Sequence, residues 1–94
     1  MTTPDLDEAL VEMLTLTMEV ADKRGTIIYR NHLGQAHRVH GPAVIFSNGD
    51  QFWYQHGRLH RETGPAVVQT RSCGWYLNDQ NLSEEEFNER IKSL

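Results

Sequence analysis

His37-Arg38-Val39-His40-Gly41-Pro42-Ala43-Val44 is followed, 23 residues on, by His60-Arg61-Glu62-Thr63-Gly64-Pro65-Ala66-Val67. A His-Arg-x-x-Gly-Pro-Ala-Val string that returns at fixed spacing is an internal repeat. A period of about 20 residues or more marks units that share one core with their neighbours. Upstream of each copy stands a tyrosine followed by a glycine turn: Tyr29 with Gly34, and Tyr54 with Gly57. A third, truncated unit, Trp75-Tyr76-Leu77-Asn78-Asp79, matches Trp53-Tyr54-Gln55-His56-Gly57. The unit is therefore an aromatic strand, a turn, His-Arg, a Gly-Pro-Ala corner and an apolar strand.

Each repeated position has a physical reading. Gly41 and Gly64 permit a backbone turn closed to other residues. Pro42 and Pro65 fix φ and lack an N–H, which suits the first residue of an outgoing strand. Ala43 and Ala66 are small where the turn presses on a neighbour. Arg38 and Arg61 can lay their stems on an aromatic ring of the adjoining unit. His37 and His60 can hydrogen-bond turn backbone.

Outward from the repeat, residues 25–82 alternate β-branched and aromatic runs with Gly, Asn and Pro. The expected strands are Thr26–Asn31, Ala43–Phe46, Gln51–Gln55, Ala66–Thr70 and Trp75–Leu77, with shorter extended pieces at Gln35–His37 and Arg58–His60. Ser47-Asn48-Gly49-Asp50 reads as a hairpin whose Asn-Gly pair takes positive φ. His56-Gly57 and Asn78-Asp79 mark further turns.

Both flanks read as helices. Residues 3–22 carry Thr3 as a cap, Pro4 at the first helical position and Asp5, Asp7 and Glu8 at the positive end of the dipole. Leu6, Leu10, Met13, Thr17 and Val20 form its stripe, with Val11, Leu14, Met18 and Ala21 beside it. The apolar sector is wider than one sheet face needs, so a second surface is expected on it: the C-terminal helix or a second copy of the chain. Leu10, Val11, Leu14 and Met18 are the expected dimer contacts. Residues 83–94 open with a Ser83/Glu86 capping box and a Leu82/Phe87 staple, and bury Phe87, Ile91 and Leu94. The fold expected is α+β: an antiparallel hairpin meander (25–82) between an N-terminal helix (1–24) and a C-terminal helix (83–94), as a single domain.

The run Trp53-Tyr54-Gln55-His56-Gly57-Arg58-Leu59-His60-Arg61-Glu62-Thr63-Gly64-Pro65-Ala66 resembles the MORN-type repeat, in the variant found in small phage and bacterial proteins. The first unit departs from it, with a longer turn, Tyr29-Arg30-Asn31-His32-Leu33-Gly34, and no tryptophan. The likeness spans residues 26–82. It implies a role in binding or assembly rather than catalysis. It also suggests a phage or prophage accessory protein that occupies a host protein surface, such as a component of a CRISPR-Cas defence system. The alternatives are a bacterial structural or assembly module and a single-stranded nucleic-acid binder.

Composition narrows the chemistry. The 94 residues carry a formal charge of −4, unevenly spread. Residues 1–22 hold six acids and no base, 23–82 hold seven bases against three acids, and 83–94 hold four glutamates against Arg90 and Lys92. Nucleic acid is a poor fit for so small a basic excess between acidic flanks. No run is long and apolar enough to span a bilayer, and the acidic N-terminus lacks the basic region of a signal peptide, so a cytoplasmic location is expected (the host cytoplasm if phage-encoded). Cys73 is the only cysteine, which excludes an intramolecular disulfide and paired-cysteine zinc sites. Cys73 itself reads as an ordinary turn residue. His32, His37, His40, His56 and His60 crowd one stretch, but their spacing matches no zinc signature on strands. No nucleophile–base pair or phosphate-cradling loop is present. No catalytic residue, metal or cofactor is expected. The expected partner-binding residues are Trp53, Trp75, Arg58 and Arg61 on the sheet and Glu12 and Glu19 on the acidic helix.

Overall fold

The structure, a computed structural model, describes residues 8–94, apart from the side chains of Glu8, Ala9, Glu12 and Met13. Helix α1 (Glu8–Thr15) leads into strand β1 (Thr17–Val20), then β2 (Ile27–Arg30), β3 (Val44–Ile45), β4 (Gln51–Phe52), β5 (Tyr54–Gln55), β6 (Arg58–Leu59), β7 (Val67–Val68), β8 (Cys73–Leu77), β9 (Gln80–Leu82) and helix α2 (Glu84–Lys92). All described pairings are antiparallel. Seven strands form one sheet in the order β1-β2-β3-β4-β7-β8-β9, and β5 and β6 form a separate hairpin. The molecule is 15 Å through its thinnest dimension.

The N-terminal expectation needs correction. The helix does not run to residue 22. Among the described residues it ends at Thr15, whose Oγ1 bonds back to the Val11 carbonyl at 2.7 Å. Thr17–Val20 is instead a strand paired with β2, Thr17 opposite Arg30 and Val20 opposite Ile27. The turn decides this. Asp22 Oδ1 accepts the N–H of Arg24 and of Thr26, its Oδ2 accepts the Thr26 hydroxyl, and Gly25 takes φ +91°. A residue so fixed ends a hairpin turn rather than a helix. Met18 and Val20 thus belong to a strand, not to a helical stripe. Thr3, Pro4, Asp5, Leu6 and Asp7 lie outside the described residues.

Within the meander, the expected strand at Gln51–Gln55 breaks at Trp53. There the chain leaves β7, with Trp53 N–H donating to the Ala66 carbonyl, and enters the β5–β6 hairpin, with its own carbonyl accepting from His60 N–H. Tyr29 has the same two bonds, to Ala43 and from His37. Tyr29 therefore occupies the place of Trp53, not that of Tyr54, with which the sequence aligns it. Three hairpin tips stand in a row: Arg30–Ala36, β5–β6 and β8–β9. Neighbouring tips are joined by backbone bonds, Gly57 N–H to Ala36 and Asp79 N–H to Leu59.

The outgoing turns sort by type. His56 (φ +52°) with Gly57 (φ +79°), and Asn78 (φ +48°) with Asp79 (φ +69°), are two-residue turns of the twist that hairpins favour. At Asn48-Gly49 only Gly49 is positive (φ +95°). Phe46 accepts from Gly49 and donates to Asp50, a three-residue loop rather than the tight Asn-Gly turn expected.

The buried core sits at the C-terminal end. Leu77, Leu82 and Phe87 form it, with Trp75 and Ile91 against them. Ser83 caps α2 as expected: its hydroxyl accepts Glu86 N–H while the Glu86 carboxylate accepts Ser83 N–H. Those bonds from Ser83 hold the Glu86 carboxyl below its usual range. Leu94, expected in the buried stripe, is 76% exposed and lies beyond α2, which ends at Lys92 with Ser93 as its cap.

Candidate binding surface

Each repeat unit is held by the same bracket. The Arg38 guanidinium lies 4.0 Å from the centroid of the Tyr29 ring, and Arg61 lies 3.7 Å from that of Trp53. Each arginine Nη1 donates to the proline carbonyl four residues on, Pro42 at 3.4 Å and Pro65 at 3.1 Å. Burial pulls the Arg61 guanidinium below its usual value. The backbone N–H of Arg38 and of Arg61 bonds the Tyr54 and Tyr76 carbonyls, joining each unit to the next.

This geometry changes the reading of Gly41 and Gly64. Neither takes a positive φ. A Cβ on Gly41 would lie 2.8 Å from Arg38 Cζ, and one on Gly64 would lie 3.2 Å from Arg61 Cζ. Glycine is favoured there because the guanidinium occupies the space of a side chain. Ala43 and Ala66 are fully buried, where strand and bracket meet.

The two buried histidines act as backbone acceptors. His37 Nδ1 accepts the N–H of His56 at 2.9 Å, and His60 Nδ1 accepts that of Asn78 at 3.1 Å. The Nε2 of His60 faces Glu62 at 2.9 Å. An imidazole with Nδ1 as acceptor carries its proton on Nε2, so His60 holds one tautomer between the Asn78 amide and the Glu62 carboxylate. His32, His40 and His56 are exposed. Among the described residues, no group of three His, Cys, Asp or Glu side chains is placed to hold a metal.

The residues expected to bind a partner are divided among different tasks. Trp53 lies under Arg61, with its indole nitrogen buried and unpaired. Trp75 packs against the C-terminal core. Arg61 is held by Trp53, Pro65 and Thr63. Arg58 is exposed on β6, and Glu19 pairs with Arg30 across β1–β2. The side chain of Glu12 is outside the described set. The structure does not gather the other five into one patch.

A different set is gathered instead. By strand register, Ile28, Val44, Phe52 and Val67 share one face, joined by Phe46, whose ring meets Phe52 edge-on at 5.3 Å. Val20, Ile27, Ile45 and Val68 line the opposite face, interrupted by Gln51 and ending at the exposed Cys73. These side chains are only half-buried in the sheet centre, and Phe46 is 40% exposed. Continuous apolar runs, Ile27-Ile28-Tyr29, Val44-Ile45-Phe46 and Val67-Val68, were the signal for both rows.

Tyr54 lies in the separate β5–β6 hairpin. Burial first, and the Asp79 carboxylate second, raise its phenol above the usual value. Among the described residues no helix is long and apolar enough to cross a membrane. No protein-family profile, curated protein or solved structure matches the chain.

Proposed function

We propose that this chain is a non-catalytic binding module whose thin sheet presents an apolar face to a protein partner. The observation that carries the reading is the Phe46–Phe52 pair flanked by Val44 and Val67, half-open to solvent in a molecule 15 Å through its thinnest dimension. Contiguous apolar surface of this kind is the usual mark of a protein-binding site. The arginine–aromatic brackets support it by stiffening the platform, which lowers the ordering cost of docking. They weigh against single-stranded nucleic acid, because the rings and guanidinium groups that would stack on bases already stack on each other.

The finer proposal rests on the repeat's resemblance to MORN-type units: a phage accessory protein that occupies a host protein, with a CRISPR-Cas component as one such target. Affinity capture from the natural host, followed by binding measurements with the recovered protein, tests both levels. A stoichiometric complex weakened tenfold or more by Phe46→Glu and unchanged by Glu85→Lys on α2 is the expected result. A complex indifferent to Phe46→Glu, or salt-dependent binding to single-stranded oligonucleotides in its place, overturns the sheet-face reading.

A further inference from the structure

The two ends of the seven-stranded sheet are built differently. At one end β9 is backed by α2, and Leu82 and Phe87 are buried there. At the other, all four residues of β1 are exposed, with Met18 at 57% and Val20 at 63%. β1 has no proline, no lysine and no bulge in its register with β2, and its one charge, Glu19, is paired with Arg30.

The pairing tells which backbone groups face outward. Ala21 N–H bonds the Thr26 carbonyl, so in the antiparallel alternation Thr17, Glu19 and Ala21 spend their groups on β2. The N–H and C=O of Met18 and Val20 point away from the sheet. Met18 and Val20 side chains lie on the face of Ile27 and Tyr29, while Glu19 lies on the other face and is neutralised by Arg30.

We infer that β1 is a homodimer seam, in which two copies pair antiparallel about a two-fold axis at Met18 and extend the sheet across both chains. The occupant is a second copy because this edge is self-complementary. Centred on Met18, the register sets Met18 against its own copy, Val20 against Leu16, and Glu19 against Thr17. No glutamate then directly opposes a glutamate, and each remains paired with its own Arg30. A register centred on Glu19 would put like charges opposite each other, which destabilises a sheet. An isologous contact needs such self-complementarity. The seam uses the sheet edge, so it stands or falls apart from the sheet-face proposal. It also moves the dimer contact expected of Leu10, Val11, Leu14 and Met18 from a helix stripe to a strand.

The test uses the full chain. Light scattering over a dilution series is expected to show a monomer–dimer equilibrium. Met18→Pro removes an outward N–H and leaves the bonds to β2 in place; it is expected to give a monomer with an unchanged tryptophan emission spectrum. Met18→Cys in a Cys73→Ser background is expected to form a disulfide-linked dimer on oxidation, since directly paired strand residues have a Cα separation within disulfide range. Glu19→Cys in the same background is expected to cross-link far less. A wild-type chain that stays monomeric at every concentration overturns the inference. So does a dimer that survives Met18→Pro, or one dissolved by Leu14→Asp while Met18→Cys fails to cross-link.

Discussion

The two repeat units make the same bracket from unequal parts. In the second, Arg61 stacks on a tryptophan, bonds Pro65 and reaches Thr63, while His60 spans the Asn78 amide and Glu62. In the first, Arg38 stacks on a tyrosine at slightly longer range, and its bond to the Pro42 carbonyl is longer. The positions that carry Glu62 and Thr63 in the second unit carry Val39 and His40 in the first. Both corners share the arginine, the glycine and the histidine acceptor, and differ in the x-x pair between them.

The sharpest way to break this view is to remove the histidine acceptors. His60→Ala removes the acceptor of the Asn78 N–H and opens space at a buried side chain. It is expected to cost about 2–3 kcal/mol in urea unfolding. His60→Asn, which keeps a short acceptor, is expected to recover part of the loss. If His60→Ala cost no more than a surface substitution, the inter-hairpin bond would not hold the row together.

The arginines come next. Arg61→Ala is expected to lose about 1–2 kcal/mol and to shift Trp53 emission, because a partly desolvated guanidinium leaves the indole face. Arg38→Ala is expected to lose about 1 kcal/mol or less, with tryptophan emission unchanged. Equal losses would erase the distinction between the units.

Glycine substitution should reverse the order. Alanine at Gly41 drives a methyl to 2.8 Å from Arg38 Cζ and lifts the guanidinium off Tyr29, whereas at Gly64 the clearance is 3.2 Å. Gly41→Ala is therefore expected to cost about 1 kcal/mol, and Gly64→Ala a few tenths. Combining Gly41→Ala with Arg38→Ala should cost less than the sum of the two, as residues sharing one contact do not add. Strict additivity would show that the glycine is needed for another reason.

Much of this was legible in the string of residues, and the misses have physical causes. The repeat gave the hairpin row, because a Gly-Pro-Ala corner at fixed spacing has few ways to fold. Ser83 and Glu86 gave α2, because a capping box is a local signal that tertiary packing rarely overrides. The segment Thr17–Val20 misled, because Met18 and Val20 fit a helical stripe and a strand face equally well at this length. The deciding feature, Asp22 closing a turn with Gly25 and Thr26, lies beyond the ambiguous run. The glycine role at Gly41 was hidden for a different reason: nothing in a sequence shows that an arginine three residues away will fill the volume of a missing Cβ. The unequal sheet ends were equally hidden, since edge and centre strands share one alternation.

The smallest expected effect lies outside both units and checks that the brackets are local. The Thr26 hydroxyl first, then the Thr26 backbone N–H, hold the Asp22 carboxyl below its ordinary value of 3.8. A carboxyl depressed in the folded state stabilises above its unfolded pKa, and that contribution is lost as pH falls through the folded value. Wild type should therefore exceed Asp22→Asn in thermal stability by a constant margin above pH about 5, and the margin should close on further acidification. Trp53 emission should not respond to the substitution, since the turn and the bracket share no side chain. A margin that instead stays constant in acid would mean that the ionised Asp22 carboxylate does not hold the turn. The strand β1, and with it the open end of the sheet, would then owe its place to pairing with β2 rather than to the turn.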